Sequence, residues 1–294
     1  EKHKKALISP GTAYIICKEI KLRRRAAKGR SYMLPVALQL FSIRESMEKD
    51  TRAALGDVAD MGYRGVELCG FGGLEPKEFK NVCDGLGLEA VSAHIGPGGA
   101  VDDTDKIIDE LCTVGAKYAA IAYLDADKRP GGENFESYFK NLGAAAKKFR
   151  KAGIQLLFHN HETEFTYVSG RLMLDRILEA VDDGLLLPEL DTCWINIGGQ
   201  NPEMYMKSYV GRCPVVHLKD FNFKKRFAPS TDGTRPDFEF RPIGYGRQDM
   251  PGILAASEEI GAKWYVVEQD APSLGLSDME CAKLSRQWLK TVQG

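Results

Sequence analysis

Eight short apolar runs alternate with longer segments of helical period from about residue 34 onward. Several runs are almost wholly apolar, as in strands that are buried on both faces of a parallel sheet. They lie at Val36–Phe41, Gly65–Cys69, Leu88–His94, Tyr118–Ala122, Ile154–His159, Leu186–Asp191, Val215–Lys219 and Trp264–Gln269. Strand–helix alternation of this kind predicts parallel crossover units and an α/β fold.

The number of runs favours a closed (β/α)₈ TIM barrel over an open doubly wound sheet, which is the alternative fold. A doubly wound nucleotide-binding sheet would carry a glycine-rich phosphate loop after its first strand, and none follows Phe41. Glycines such as Gly62 and Gly115 stand where helical segments should end, and glycine suits the left-handed residue that stops a helix. The helical segments are 46–61, 76–86, 102–114, 134–152, 171–182, 202–210, 249–260 and 277–292.

The longest irregular segment is about 220–248, after the seventh predicted strand. It contains three prolines and three glycines, which are Pro229, Pro236, Pro242, Gly233, Gly244 and Gly246. Long loops at the carboxyl ends of barrel strands carry function in this architecture. We therefore expect an active-site loop here.

Composition predicts two unequal parts within the 294 residues: a basic extension at 1–33 and the barrel at 34–294. Residues 1–30 hold ten Lys and Arg against Glu1 and Glu19, although the whole chain has a net charge of only −1. We interpret the basic segment as a solvated extension, and we expect neither a nucleic-acid nor a membrane partner. Seven scattered cysteines without a CxxC pair predict reduced thiols and a cytoplasmic protein. Homo-oligomerisation stays open.

Four of the five histidines fall at the ends of predicted strands. They are His94, His159, His161 and His217. A lone histidine there would be a structural residue, but four on one rim point to the carboxyl-terminal face where barrel enzymes keep their chemistry.

Carboxylates end the neighbouring strands, as Asp191 and Glu268 show. An acid that follows an apolar run is costly unless it is paired, binds a metal or reaches solvent. The simplest assembly is a metal site formed by His159, Asp191, His217 and Glu268. Mixed imidazole and carboxylate ligands suit Mn²⁺, Co²⁺, Zn²⁺ or Fe²⁺ better than Ca²⁺, and Mg²⁺ is kept as a further candidate.

From about residue 34 to 292 the chain resembles the sugar phosphate isomerase/epimerase group of xylose-isomerase-like barrels. The matching segments are Val36–Arg44, Met61–Glu67, Phe158–Glu162, Leu190–Trp194, Val216–Asp220 and Val267–Asp270. The resemblance implies a TIM barrel, a divalent metal and a sugar or sugar-derived small-molecule substrate. It also implies that Asp191, His217 and Glu268 are metal ligands.

The chain departs from the family pattern on the fifth strand, where the usual ligand is a Glu followed by Asn-His. Here the triplet is His159-Asn160-His161, so either His159 is the ligand or Glu162 reaches the metal. We prefer His159, because its side chain should point in the direction of the usual Glu. Period-two alternation places His161 on the same face.

Candidate catalytic residues are His161, Glu268 and Glu162. An unperturbed histidine titrates near pH ~6.5, so His161 could act as a general base at neutral pH. Its alternative role is a hydrogen bond to a substrate hydroxyl. Candidate substrate-binding residues follow the same strands and are His94, Trp194, Lys219 and Asp220.

These residues predict metal-dependent proton transfer next to the carbonyl of a sugar or keto-sugar, giving isomerisation or epimerisation. The family's ketose epimerases exchange the proton between two metal-bound glutamates, and only Glu268 clearly fills such a role. A lyase or hydratase, similar to inosose dehydratase or cleaving 3-keto-glycosides, is therefore the alternative. A DNA repair enzyme of the endonuclease-IV type is a remote one, since its trinuclear zinc site needs more histidines. A sugar-binding subunit without catalysis is a further class, disfavoured because the ligand positions are polar.

Overall fold

The structure is a computed structural model that describes residues 34–181, 184–223 and 237–293. Eight parallel strands form a closed barrel in the order β1-β2-β3-β4-β5-β8-β9-β12, with β12 pairing back onto β1. They are β1 (Val36–Gln39), β2 (Gly65–Leu68), β3 (Glu89–Ile95), β4 (Tyr118–Ile121), β5 (Gln155–His159), β8 (Leu186–Asp191), β9 (Val215–Leu218) and β12 (Trp264–Val267). The predicted TIM barrel is confirmed. The predicted extension at 1–33 lies outside the described residues.

Helices cover the outside of the barrel, and several stop at the predicted glycines. Gly62 and Gly115 cap helices in the left-handed region, with φ of 86° and 83°. The helices are α1 (Arg44–Lys49), α2 (Thr51–Met61), α3 (Pro76–Leu86), α4 (Pro97–Val101), α5 (Thr104–Val114), α6 (Phe135–Lys151), α7 (Met173–Glu179), α8 (Thr192–Ile197), α9 (Pro202–Met206), α10 (Met250–Glu259) and α11 (Asp278–Gln293). Within the described ranges, no helix has both the length and the apolar character to cross a lipid bilayer.

The single helix predicted over 46–61 is wrong, because the chain breaks at Asp50 into α1 and α2. Asp50 adopts an extended conformation, and its carboxylate accepts a hydrogen bond from the amide of Ala53. Aspartate at a helix N-cap satisfies an amide that the first turn leaves unpaired, so it starts a second helix.

The predicted active-site loop at 220–248 is in part a β-hairpin. Strand β10 (Asp220–Phe223) pairs antiparallel with β11 (Phe238–Arg241), and residues 224–236 lie outside the described residues. A second, shorter hairpin joins β6 (Tyr167–Val168) to β7 (Arg171–Leu172). Both hairpins follow barrel strands at their carboxyl ends, so they flank the rim where the polar residues gather.

The barrel interior begins with an apolar layer contributed by six strands. Its buried members are Ala37, Val91, Ala120, Leu157, Val215 and Val266. Two residues further along their strands lie Gln39, His159, His217 and Glu268, all buried. Since side chains two apart share a strand face, the polar layer rests on the apolar one.

Candidate metal centre and active site

The predicted ligands do come together inside the barrel. One donor atom from each of His159, Asp191, His217 and Glu268 lies within 4.8 Å of the others, and we call these four the outer group. A second set overlaps it, formed by His94, His159, Glu189 and His217, and we call it the inner group. The two groups share His159 and His217, so they define two neighbouring positions for an ion.

The outer group is held by the ends of β5, β8, β9 and β12. His217 Nδ1 lies 3.1 Å from Glu268 Oε2, and His159 Nε2 lies 4.0 Å from Asp191 Oδ2. The other oxygen of Asp191 accepts hydrogen bonds from the amides of Cys193 and Trp194 and so caps α8. Burial raises the pKa of Asp191 to about 6.

Lys219 lies among the carboxylates of the outer group and is buried. Its Nζ is 3.1 Å from Asp191 Oδ2, 2.8 Å from Glu268 Oε2 and 2.8 Å from Asp270 Oδ1. Burial opposes the charged form, yet these acids raise the pKa of Lys219 well above its ordinary value. Lys219 is thus a fixed ammonium. The sequence predicts a substrate contact for Lys219, but not this position among three acids.

Glu189 organises the inner group. Its Oε1 lies 2.9 Å from His94 Nε2, 3.2 Å from His159 Nδ1 and 3.2 Å from His217 Nε2. Glu67 on β2 adds a second carboxylate, whose Oε2 is 2.6 Å from His217 Nε2 and accepts a 2.8 Å hydrogen bond from Gln39. Neither acid was among the predicted ligands. The period-two rule could have found Glu189, since it precedes Asp191 by two residues on the same strand face.

Burial and the charges of neighbouring side chains together set the pKa values of the inner group. Burial lowers the pKa of His159 well below its ordinary value. Burial has the same effect on His217, but Glu67 and Glu189 reverse it and raise the pKa of His217 well above its ordinary value. For Glu189, burial opposes ionisation, but His217 and the other histidines lower its pKa well below the usual range. For Glu67, burial and the charge of Glu189 raise the pKa.

The buried donors fit a divalent metal. Glu67 Oε1 and Glu189 Oε2 are buried and have no hydrogen-bond partner in the described part of the chain. An unsatisfied buried carboxylate oxygen is costly unless a cation compensates it. Imidazole nitrogens mixed with carboxylate oxygens match Zn²⁺, Co²⁺ or Mn²⁺.

A cleft of about 440 Å³ adjoins the outer group through His161, whose ring centre is 5.1 Å from that of His159, and through Asp270, which contacts Lys219. It is lined by Tyr123, Leu124, Arg129, His161, Glu162, Thr163, Glu164, Trp194, Phe240 and Asp270. His161 and Glu162 therefore face the cleft. Of the two candidate strand-five ligands, His159 belongs to both donor groups and Glu162 to neither.

The prediction that His161 is an unperturbed base is wrong, because burial, followed by the charge of Lys219, lowers the pKa of His161 to about 3. Its imidazole is therefore neutral and weakly basic at neutral pH. Glu164 holds the segment in place by accepting a 2.8 Å hydrogen bond from the His161 amide. The geometry leaves His161 as a hydrogen-bonding group at the cleft wall.

The four predicted substrate-binding residues have different surroundings in the structure. Trp194 lines the cleft, and Lys219 Nζ lies 5.1 Å from the centre of its ring. His94 belongs to the inner group, where its ring stacks on His217 with centroids 5.3 Å apart. Asp220 is buried, and its carboxylate accepts hydrogen bonds from the amides of Gly244, Gly246 and Gln248. Asp220 therefore anchors the segment after β11, which is a different role from the predicted one.

Three comparisons place the chain among known proteins. The family model described as xylose isomerase-like TIM barrel matches residues 55–292. Inosose dehydratase of Geobacillus kaustophilus (strain HTA426) is 26% identical over 190 residues, which are 56% of this chain and 60% of that protein. The match thus spans less than two thirds of that relative. Inosose dehydratase of Lacticaseibacillus casei is 23% identical over 263 residues, covering 80% of this chain and 87% of that protein.

Solved structures share the fold. The crystal structure of a sugar phosphate isomerase/epimerase from Parabacteroides distasonis ATCC 8503 superposes with a TM-score of 0.71 at 21% sequence identity. The superposition covers 90% of this chain and 96% of that one.

Proposed function

Because the chain belongs to the xylose isomerase-like TIM barrel family, we propose that it is a metal-dependent carbon–oxygen lyase that removes water from an inosose or a related keto-sugar. The membership agrees with the resemblance found in the sequence. The two curated relatives described above are both named inosose dehydratase, which supports the lyase over the isomerase or epimerase expected first.

One observation carries the choice of elimination: neither donor group has a carboxylate at the strand-five position. An epimerase of this family needs a carboxylate base on each side of the sugar. Here the strand-five position holds His159, which is buried and whose pKa burial lowers well below its ordinary value. A one-sided base suits elimination, in which a proton leaves and is not returned to the opposite face.

Asp270 is the base in this proposal. Its side chain lines the cleft and is 26% exposed, so it can reach a substrate carbon. Burial raises the pKa of Asp270 even though Lys219 lies 2.8 Å away, and a raised pKa makes a carboxylate a better base at neutral pH. Glu268, whose pKa is held well below the usual range by Lys219 and His217 against the effect of burial, is the weaker base.

Asp270, Lys219 and His161 have separate roles in the proposed reaction. Asp270 takes the proton from the carbon next to the ketone, the carbon–oxygen bond at the following carbon breaks, and Asp270 returns the same proton to the departing hydroxyl, which leaves as water. Lys219 stabilises the negative charge that develops on the substrate, because its ammonium is fixed before the reaction starts. The neutral His161 donates or accepts a hydrogen bond to a substrate hydroxyl. A divalent metal held by the buried donors supplies a Lewis acid for the carbonyl when bound.

The test is turnover of an inosose by the chain loaded with Co²⁺ or Mn²⁺, run in deuterated water. We expect a product that has lost one water by mass spectrometry and absorbs in the ultraviolet as a conjugated ketone. Recovery of an isomer that carries deuterium, without loss of water, would instead identify an isomerase or epimerase. Asp270→Asn is the matched variant, and it should abolish the reaction while metal content stays the same.

A further inference from the structure

The loop after β4 brings an arginine to the cleft. Arg129 lies between β4 and α6, and it lines the cleft together with His161, Glu164 and Asp270. In the closed barrel, β4 is four strands away from β12 in either direction, so these two strands stand opposite each other. Asp270, the proposed base, follows β12. Arg129 therefore enters the cleft from the side opposite to Asp270.

Hydrogen bonds within the loop define where Arg129 stands. Its amide donates to the carbonyl of Ala126 at 3.3 Å, and its carbonyl accepts from the amide of Gly132 at 2.7 Å. The Asn134 side chain donates a 2.7 Å hydrogen bond to the Asp127 carboxylate. A Cβ at position 132 would lie 2.2 Å from the carbonyl oxygen of Asp127, so the close turn needs glycine there. The loop thus presents Arg129 from a fixed backbone position.

The half-buried guanidinium of Arg129 has donors to spare. Its Nε donates a 3.0 Å hydrogen bond to the backbone carbonyl of Leu124, which is itself buried. Among residues 34–181, 184–223 and 237–293, its two terminal nitrogens have no hydrogen-bond partner and no carboxylate within ion-pair distance. The Glu164 carboxylate, which also lines the cleft, instead accepts hydrogen bonds from the His161 amide and the Thr163 hydroxyl. Arg129 therefore brings to the cleft a positive charge that this part of the chain does not pair.

Two neighbouring cations are paired within the chain. Lys219 contacts three acids, and Lys128, which directly precedes Arg129, lies 2.5 Å from Asp125 Oδ2. Arg129 differs from both in having free N–H groups. A guanidinium holds its N–H donors in a planar fork that matches two oxygens of a carboxylate or a phosphate. The arrangement therefore fits recognition of an anionic oxygen group by Arg129.

We propose that Arg129 binds an anionic oxygen group, a carboxylate or a phosphate, on the edge of the substrate remote from the carbon that loses its proton. This inference rests on the proposed function and narrows its substrate to a cyclic keto-sugar that carries such a group. Because Arg129 and Asp270 enter from opposite sides, the substrate's charge lies away from the base. Binding energy at the remote edge then orients the reacting carbon toward Asp270. An uncharged inosose lacks this contact and is the weaker substrate.

The experiment measures binding of three matched probes to the Co²⁺-loaded full-length chain by calorimetry. They are a six-membered cyclic polyol with a carboxylate, its uncharged methyl ester and the corresponding phosphate monoester, none with a ketone, so that no elimination consumes them. We expect wild type to bind one anionic probe about 10- to 100-fold more tightly than the ester, as for hydrogen bonds to a charged group. The tighter of the two anions identifies the substituent. Equal affinity for all three probes would overturn the proposal.

Arg129→Met should remove the preference and leave the affinity for the ester unchanged. Lys128→Met is the matched control, because it deletes the adjacent cation that is already paired with Asp125, and it should keep the preference. A preference that survives in Arg129→Met would place the anion elsewhere, for example on the metal, and would contradict the role of Arg129.

Arg129→Lys keeps the question answerable if Arg129→Met does not fold. Lysine retains the charge but not the paired N–H donors, so the preference should fall without vanishing, and an unchanged preference would count against Arg129. The two proposals fail separately. Dehydration of inosose by a chain without anion preference would remove only the role of Arg129. Anion preference without loss of water from the ketone forms of the probes would overturn only the proposed reaction.

Discussion

The barrel interior contains two layers that lie on the same strands and differ in almost every physical property. The lower layer, represented by Leu157, Val215 and Val266, is apolar and buried. Two residues later, about 7 Å along each strand, the same faces carry His159, His217 and Glu268. Burial of the apolar lower layer stabilises the folded state. Burial of the upper layer removes water from charged groups, and their ion pairs and hydrogen bonds must offset that cost.

The comparison shows how the barrel carries buried charge. The upper layer pairs acids with imidazoles and with Lys219, yet Glu67 Oε1 and Glu189 Oε2 have no hydrogen-bond partner within the described ranges. Buried ion pairs are weak sources of stability, so the apolar layer and the helix–strand core must supply it. Stability and chemistry should therefore respond to different substitutions, which the following variants test.

The largest effect should come from removing the fixed cation of the upper layer. We expect Lys219→Met to lower kcat about 1,000-fold, or about 4 kcal/mol, because a preorganised charge next to the developing oxyanion is lost. Steady-state kinetics with bound Co²⁺ measured in parallel would check this. Lys263 is exposed and directly precedes β12, away from the carboxyl-terminal rim. Lys263→Met is therefore the matched control and should retain full activity. Activity within tenfold of wild type in Lys219→Met would show that the ammonium only balances charge.

A substitution in the lower layer should act on stability alone. Leu157 is fully buried, and Leu157→Ala should lower the free energy of unfolding by about 3 kcal/mol through lost burial and a cavity. Urea denaturation measures the change, and Co²⁺ affinity should stay within about threefold of wild type. Leu157→Met, which nearly conserves volume, should cost less than about 1.5 kcal/mol. Loss of metal binding in Leu157→Ala under native conditions would mean that the layers are coupled.

The smallest effect concerns the pH dependence of stability at the rim. Burial lowers the pKa of His161 to about 3. Titration of His161 therefore leaves the free energy of unfolding unchanged above pH ~6.5 and lowers it as the pH falls toward 3. At pH 5 this amounts to about 2 kcal/mol relative to pH 7.5. Metal-free wild type should lose that much more unfolding free energy than His161→Gln between these two pH values. Equal losses would show that the imidazole titrates normally in the folded protein.

Part of the site could be predicted from the sequence because strand periodicity is local. His159, Asp191, His217 and Glu268 stand at or just past the ends of apolar runs, and parallel strands bring their carboxyl ends to one rim. Glu67 was overlooked as a donor because it lies within the apolar run of β2, and Glu189 because only its partner Asp191 ends the strand. The break at Asp50 was not predicted, because the side chain of Asp50 caps a new helix within a segment whose apolar residues follow one helical period.

The sequence by itself determined the barrel, the order of its strands and which faces carry acids and histidines, because these follow from the alternation and periods of apolar residues. Only the tertiary structure decided which donors lie close together. The shear of a closed barrel sets how far residues on neighbouring strands are offset, and burial sets their charge. That arrangement put Lys219 among Asp191, Glu268 and Asp270 and directed three imidazoles onto Glu189.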